Sequence, residues 1–176
     1  MTDRLLLLAH DPRMRRLETK LVMVQELRAA HSEKAVPLLL ELVCDASWRV
    51  REEAALALVE RGRDVVPSLV TLLDQGLWYT RAIAAEALGR IGELGTAEAL
   101  ARRIEDDHPN VRQAAAAALA LLARRHGAGP VTAALAAARI DPARLGPDGP
   151  LARALAGAAA GAERGPGPPP TDSDRS

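Results

Sequence analysis

The residue types able to do covalent or metal chemistry are few and scattered. The chain holds one cysteine, Cys44, and four histidines, His10, His31, His108 and His126. A metal site needs its ligands at short, matched spacings. The histidines instead fall in separate turns or at helix ends, so no metal and no other cofactor is expected. No Gly-rich phosphate loop and no nucleophile–base pairing occurs. Cys44 sits in an apolar run and reads as a small core residue. A single cysteine also excludes a disulfide within one chain. What remains is recognition chemistry. Trp48, Trp78 and Tyr79 are the three aromatic residues of the chain, and rings of this kind anchor protein interfaces.

Those rings stand together because the chain repeats itself. Arg51, Arg81 and Arg112 align at intervals of 30 and 31 residues. Ala54, Ala84 and Ala115 follow in register, with Ala55, Ala85 and Ala116 beside them. Leu58, Leu88 and Leu119 come one turn later. Upstream of each such helix lies another: "AVPLLLELV" from Ala35, "VVPSLVTLL" from Val65 and "TAEALARRI" from Thr96, with Leu39, Leu69 and Leu100 aligned. Pro37 and Pro67 fit the first turn of the first helices, and Pro109 that of a second helix. Gly62, Gly92 and Gly127 punctuate the second-helix ends. Self-similarity at this period means stacked helical hairpins that bury their apolar faces against one another. The expected fold is all-α: a right-handed α-solenoid of antiparallel hairpins with about four to five repeats.

The expected domain is a single solenoid over residues 1–161. Clear repeats span 32–64, 65–94 and 95–127. A degenerate N-terminal hairpin covers 4–31, and a degenerate cap covers 128–161. The final 162–176, rich in Pro, Gly and polar residues, reads as a disordered tail.

Composition agrees. Of 176 residues 48% are hydrophobic, yet only 2% are aromatic, which suits close-packed Ala and Leu helices. Lys plus Arg and Asp plus Glu number 23 each, so the net charge is zero. A dedicated nucleic-acid binder is therefore not expected. A cluster of Arg13, Arg15, Arg16, Lys20 and Arg28 still leaves phosphate contact as an alternative. No apolar run approaches the length of a membrane span, and "LLLLA" is too short for a signal-peptide core. The expected location is the cytoplasm.

The Asp, the Val-Arg six residues later and the paired Ala and Leu resemble the HEAT-repeat superfamily. The short period is similar to its phycobilisome-lyase-type branch. The resemblance covers roughly residues 32 to 140 and implies a scaffold that binds other proteins. A minority of such proteins serve bilin lyases, bind DNA lesions or are iron-dependent hydroxylases. No His-Glu dipeptide of the iron-dependent kind is present. A bilin-lyase-like subunit remains an alternative that an absorbance titration with a bilin would exclude. The resemblance also implies a structural ladder in which Asp45 and Asp106 join Arg51, Arg81 and Arg112. Gln75 interrupts the acidic column, with Asp74 one residue early.

Two surfaces follow from the register. Trp48 and Trp78 occupy one repeat column, with Tyr79 adjacent, at the turn edge where second helices begin. Folding of each ring over its own hairpin is the competing expectation. Opposite the core face stand Glu53, Leu56 and Glu60 and their equivalents, Ile83 and Ala114, Glu86 and Ala117, Arg90 and Leu121. Glu60 and Arg90 are placed to pair across units. The expected partner-binding residues are Trp48, Leu56, Trp78, Tyr79, Ile83, Glu86 and Arg90. They would hold another protein or peptide on a non-catalytic adaptor.

Overall fold

Helix signals in the sequence become helix boundaries in the structure. The computed structural model describes residues 17–30, 32, 34–141 and 149–162. Its α-helices are α1 (Leu17–Ala29), α2 (Ala35–Val43), α3 (Trp48–Val59), α4 (Val66–Gln75), α5 (Trp78–Ile91), α6 (Ala97–Arg102), α7 (Pro109–His126), α8 (Ala128–Ala137) and α9 (Pro150–Ala162). No strand occurs among the described residues. Short 3₁₀ turns lead into α4 and α6. Gly62, Gly92 and Gly127 each have positive φ, of 63°, 73° and 90°. They reverse the chain after α3, α5 and α7, where a side chain would be strained.

Each first helix packs on its own second helix: α2 on α3, α4 on α5, α6 on α7. The second helices then line up side by side in the order α1, α3, α5, α7, α9. This is an α-solenoid. Leu58, Leu88 and Leu119 are fully buried, as are Leu39, Leu69 and Leu100. Both leucine columns therefore form one continuous core along the stack. The alanines between them let helices approach closely. At α5 and α7 the approach is tightest: a Cβ added to Gly89 would lie 2.7 Å from both Cα and Cβ of Ala118. Gly89→Ala is expected to cost about 1–3 kcal/mol through overpacking. Urea titration checks this, and Ala118→Gly should rescue only part, because the Ala118 backbone stays in the way.

The ladder combines three devices, all present at the turns of Asp45 and Asp106. First, the aspartate folds the turn. Asp45 Oδ1 accepts from the Ser47 amide at 2.9 Å, and Asp106 Oδ1 from the His108 amide at 3.0 Å. Such Asx contacts fix a helix entry. Second, the arginine six residues on satisfies the turn's carbonyls. Arg51 Nη1 donates to Asp45 O at 2.8 Å and Ala46 O at 3.0 Å. Arg112 Nη1 does the same to Asp106 O and Asp107 O, at 2.8 and 3.1 Å, and Arg81 donates to Gly76 O at 3.1 Å. Third, a cation from the preceding unit binds the carboxylate. Arg81 grips Asp106 through Nε to Oδ2 at 2.9 Å and Nη2 to Oδ1 at 2.6 Å. Lys20 Nζ binds Asp45 in the same way.

The expected ladder is therefore corrected in detail. Arg51 and Arg112 bind the main chain of their own turns, and the partner of Asp45 is Lys20. Lys20 stands 31 residues before Arg51 and fills the same column one unit earlier. In the second unit Asp74 bonds Arg103 Nη2 at 2.6 Å, so that rung is displaced to another strut.

Two further expectations change. Cys44 is exposed, because α2 ends at Val43 and leaves it as the C-cap, beyond the buried Leu42 and Val43. Partial desolvation, then the charge of Glu41, raises its thiol pKa. Glu60 pairs with Arg28 of α1 at 3.1 Å instead of with Arg90, and Arg28 also lies 3.7 Å from Glu53. Arg61, a break in the apolar pattern, reaches back to cap α1: Nη2 donates to Leu27 O at 2.8 Å and to Ala30 O. Arg125 repeats that reach onto Ile91 O at 2.8 Å.

The first half of the N-terminal hairpin, including Arg13, Arg15, Arg16 and His10, lies outside the described residues, as do His31 and residues 163–176.

Candidate functional site

Second helices in a row present one face to their partners behind and one to the open. On α3 and α5 the open face hollows into a groove. The first hollow, about 260 Å³, is lined by Trp48, Arg51, Glu52, Leu56, Ile83, Glu86 and Arg90, with Ala55, Val59 and Ala87 as floor. The second, about 490 Å³, lies between α5 and α7. Trp78, Tyr79, Ile83, Glu86 and Arg51 line it together with Asn110 and Gln113. Arg51, Ile83 and Glu86 border both hollows, so the two form one continuous strip.

All seven residues singled out from the sequence line this strip. The register alone brings them together, since helical spacing on α3 and α5 aims one column from each unit at the same side. Leu121, in the same column as Arg90, is exposed on α7 away from both hollows. Ala114, in the column of Glu53 and Ile83, is buried.

Neither indole folds over its own hairpin. Trp48 is 66% exposed and Trp78 43% exposed. Trp78 leans forward onto the next unit. Its ring stacks on His108 with centroids 4.0 Å apart and planes within 9°. Tyr79 meets the Trp78 ring edge-on at 5.7 Å. The arginine of the ladder completes the cluster: the Arg51 guanidinium lies 4.8 Å above the Tyr79 ring. Trp48 stands apart at the mouth of the first hollow.

The charges of the groove are mixed. Glu86 is exposed to water yet walled by the groove. That desolvation raises its pKa, Arg90 opposes the rise, and Glu52 adds to it. Arg51 and Arg90 balance Glu52 and Glu86, so the strip has no net sign. The basic residues considered for phosphate contact are occupied where the structure describes them: Lys20 by Asp45, Arg28 by Glu53 and Glu60. Among the described residues no three His, Cys, Asp or Glu side chains gather as metal ligands. No described helix is long and apolar enough to cross a membrane.

Sequence reasoning missed Arg51, Asn110 and Gln113 as groove residues and His108 as the ring on which Trp78 stacks. Arg51 was assigned wholly to the ladder, and the stacking of His108 depends on a rotamer of Trp78 that no local pattern specifies.

Stacked hairpins, a repeated Asp–Arg turn and an open row of second helices agree with one family comparison. The model of HEAT repeats matches residues 4–77 and again 66–145. The chain belongs to the HEAT-repeat family. The match is to HEAT repeats in general and singles out no branch. No curated protein matches the chain. HEAT repeats generally mediate protein–protein interaction.

Proposed function

We propose that the protein is a non-catalytic adaptor of the cytoplasm that binds a partner protein along the groove of α3, α5 and α7. The observation that carries this reading is the pair of exposed indoles bordering adjoining hollows, Trp48 at one and Trp78 at the other. Large exposed rings are costly to leave in water and are frequent anchors of interfaces. The mechanism is shape: a stack whose turns are pinned by ion pairs presents the strip already ordered, so little entropy is lost on binding.

The test is affinity capture from the native organism with the intact protein and with the Trp48→Ala/Trp78→Ala variant. Each ring is exposed, so the double variant should keep its helical circular dichroism while losing most of the specifically retained protein. Undiminished capture by the folded variant would refute the groove as the binding face.

A further inference from the structure

The ladder supplies a carboxylate to Lys20 and Arg81 and, among the described residues, none to Arg51 or Arg112, of which Arg51 borders the hollows. Lys20 receives Asp45 and Arg81 receives Asp106, in each case 25 residues on. Both acids lie two residues before the residue that caps the following second helix, Ser47 and His108. In the second unit that cap is Leu77, and the residue two before it is Gln75. Asp74, one position early, is bonded to Arg103. Among the described residues Arg51 has no carboxylate.

What Arg51 does have is incomplete. Nη1 is committed to the carbonyls of Asp45 and Ala46. Nε is shielded from solvent and has no hydrogen-bond partner. No hydrogen bond from Nη2 occurs among the described residues. The guanidinium rests over Tyr79 and borders both hollows. A guanidinium desolvated on one side and unpaired on the other binds a carboxylate more strongly than one in bulk water.

We infer that the groove takes a helical segment of a partner protein that places an acidic side chain against Arg51, between two apolar anchors, one in each hollow. The inference rests on the interaction reading above and gives the partner its chemistry. Hollows on successive hairpins are separated by about 10 Å, the usual interaxial distance. Seven residues of α-helix rise about 10.5 Å. Apolar anchors seven residues apart therefore reach both hollows, with a residue three or four after the first facing Arg51. The partner's carboxylate supplies Arg51 with the charge that Asp45 and Asp106 supply to Lys20 and Arg81. Arg51, Glu52, Glu86 and Arg90 cancel in charge, so selection for the acid is local to Arg51 and not a property of the whole groove.

The probe is a stapled helical peptide with leucines seven residues apart and a glutamate between them, beside a twin with glutamine there. Both are titrated into the full chain by fluorescence polarisation. The glutamate peptide should bind roughly ten-fold tighter. The preference should vanish in Arg51→Gln and survive in Arg90→Gln. The peptide pair reports on the unaltered protein, so the result stands even if Arg51→Gln folds poorly. Equal binding of the two peptides, with both weakened by Trp48→Ala/Trp78→Ala, would overturn the carboxylate and leave the groove reading intact. Absence of any binding, loss of the preference in Arg90→Gln, or easier competition by a single-stranded oligonucleotide would also overturn it. The groove reading itself is decided separately by the capture experiment.

Discussion

Replacing Asp106 by alanine is expected to destabilise the protein by about 3–5 kcal/mol at neutral pH, the cost of breaking a buried pair from one side. The Asp106 side chain is 2% exposed and that of Arg81 15% exposed. Alanine would leave the guanidinium of Arg81 with Asp107 as its one carboxylate among the described residues, at 2.5 Å and largely in water, beside the Gly76 carbonyl. It would also strip the His108 amide of its acceptor. Asp106→Asn should cost less, since its amide oxygen can still accept from His108. Urea titrations of both variants measure the difference.

The same site predicts an acid limb. Burial alone would raise the Asp106 pKa, but the bidentate bond from Arg81, the His108 amide and the Asp107 contact outweigh it. The carboxyl therefore lies well below the usual range. Arg81 in turn holds its proton more firmly, chiefly through the bond to Asp106. A depressed carboxylate stabilises the fold fully above its unfolded pKa, about 4. That contribution drains away as pH falls below it toward the folded value. The stability of the wild type should thus fall below about pH 4 more steeply than that of Asp106→Asn. Parallel curves for the two proteins would refute the assignment.

Leu88→Ala is the second large effect, expected at about 2–5 kcal/mol. Leu88 is fully buried in α5, the central second helix, which packs on α3 on one side and α7 on the other. In a stack each unit is stabilised by its neighbours, so a weakened middle unit loosens two interfaces at once. Leu88→Ala should therefore lower the apparent m-value as well as the midpoint. An unchanged m-value in Leu88→Ala would mean the array unfolds as one unit regardless of where it is weakened.

The core was legible because it depends on periodicity alone. Three leucines at intervals of 30 and 31 residues, each with its alanines, can be buried together in only a few ways, and stacking is the one with short connections. The groove residues were legible for the same reason: direction on a helix follows from position. Contacts made by long cationic side chains were not. Arg61 looks like a fault in an apolar stripe, yet it caps carbonyls 31 and 34 residues earlier. Its reach spans two helices, and nothing near it in the chain specifies the target. Lys20 was assigned to a basic cluster although it stands in the arginine column, because a lysine in an arginine position breaks the visual repeat while preserving the charge. Cys44 follows an apolar run that points to burial, but α2 ends at Val43 and leaves its side chain exposed.

The absent acid at Gln75 also bears on how the array yields to force. Where α3 meets α5, the far edge is clasped by Arg63 and Glu93 at 2.6 Å. At the near edge, where the indoles stand, an arginine resting on a tyrosine takes the place of an ion pair. A joint with a surface ion pair along one side and, among the described residues, none along the other is the one expected to change pitch most readily. A change of pitch there would widen or narrow the strip without breaking a charged bond.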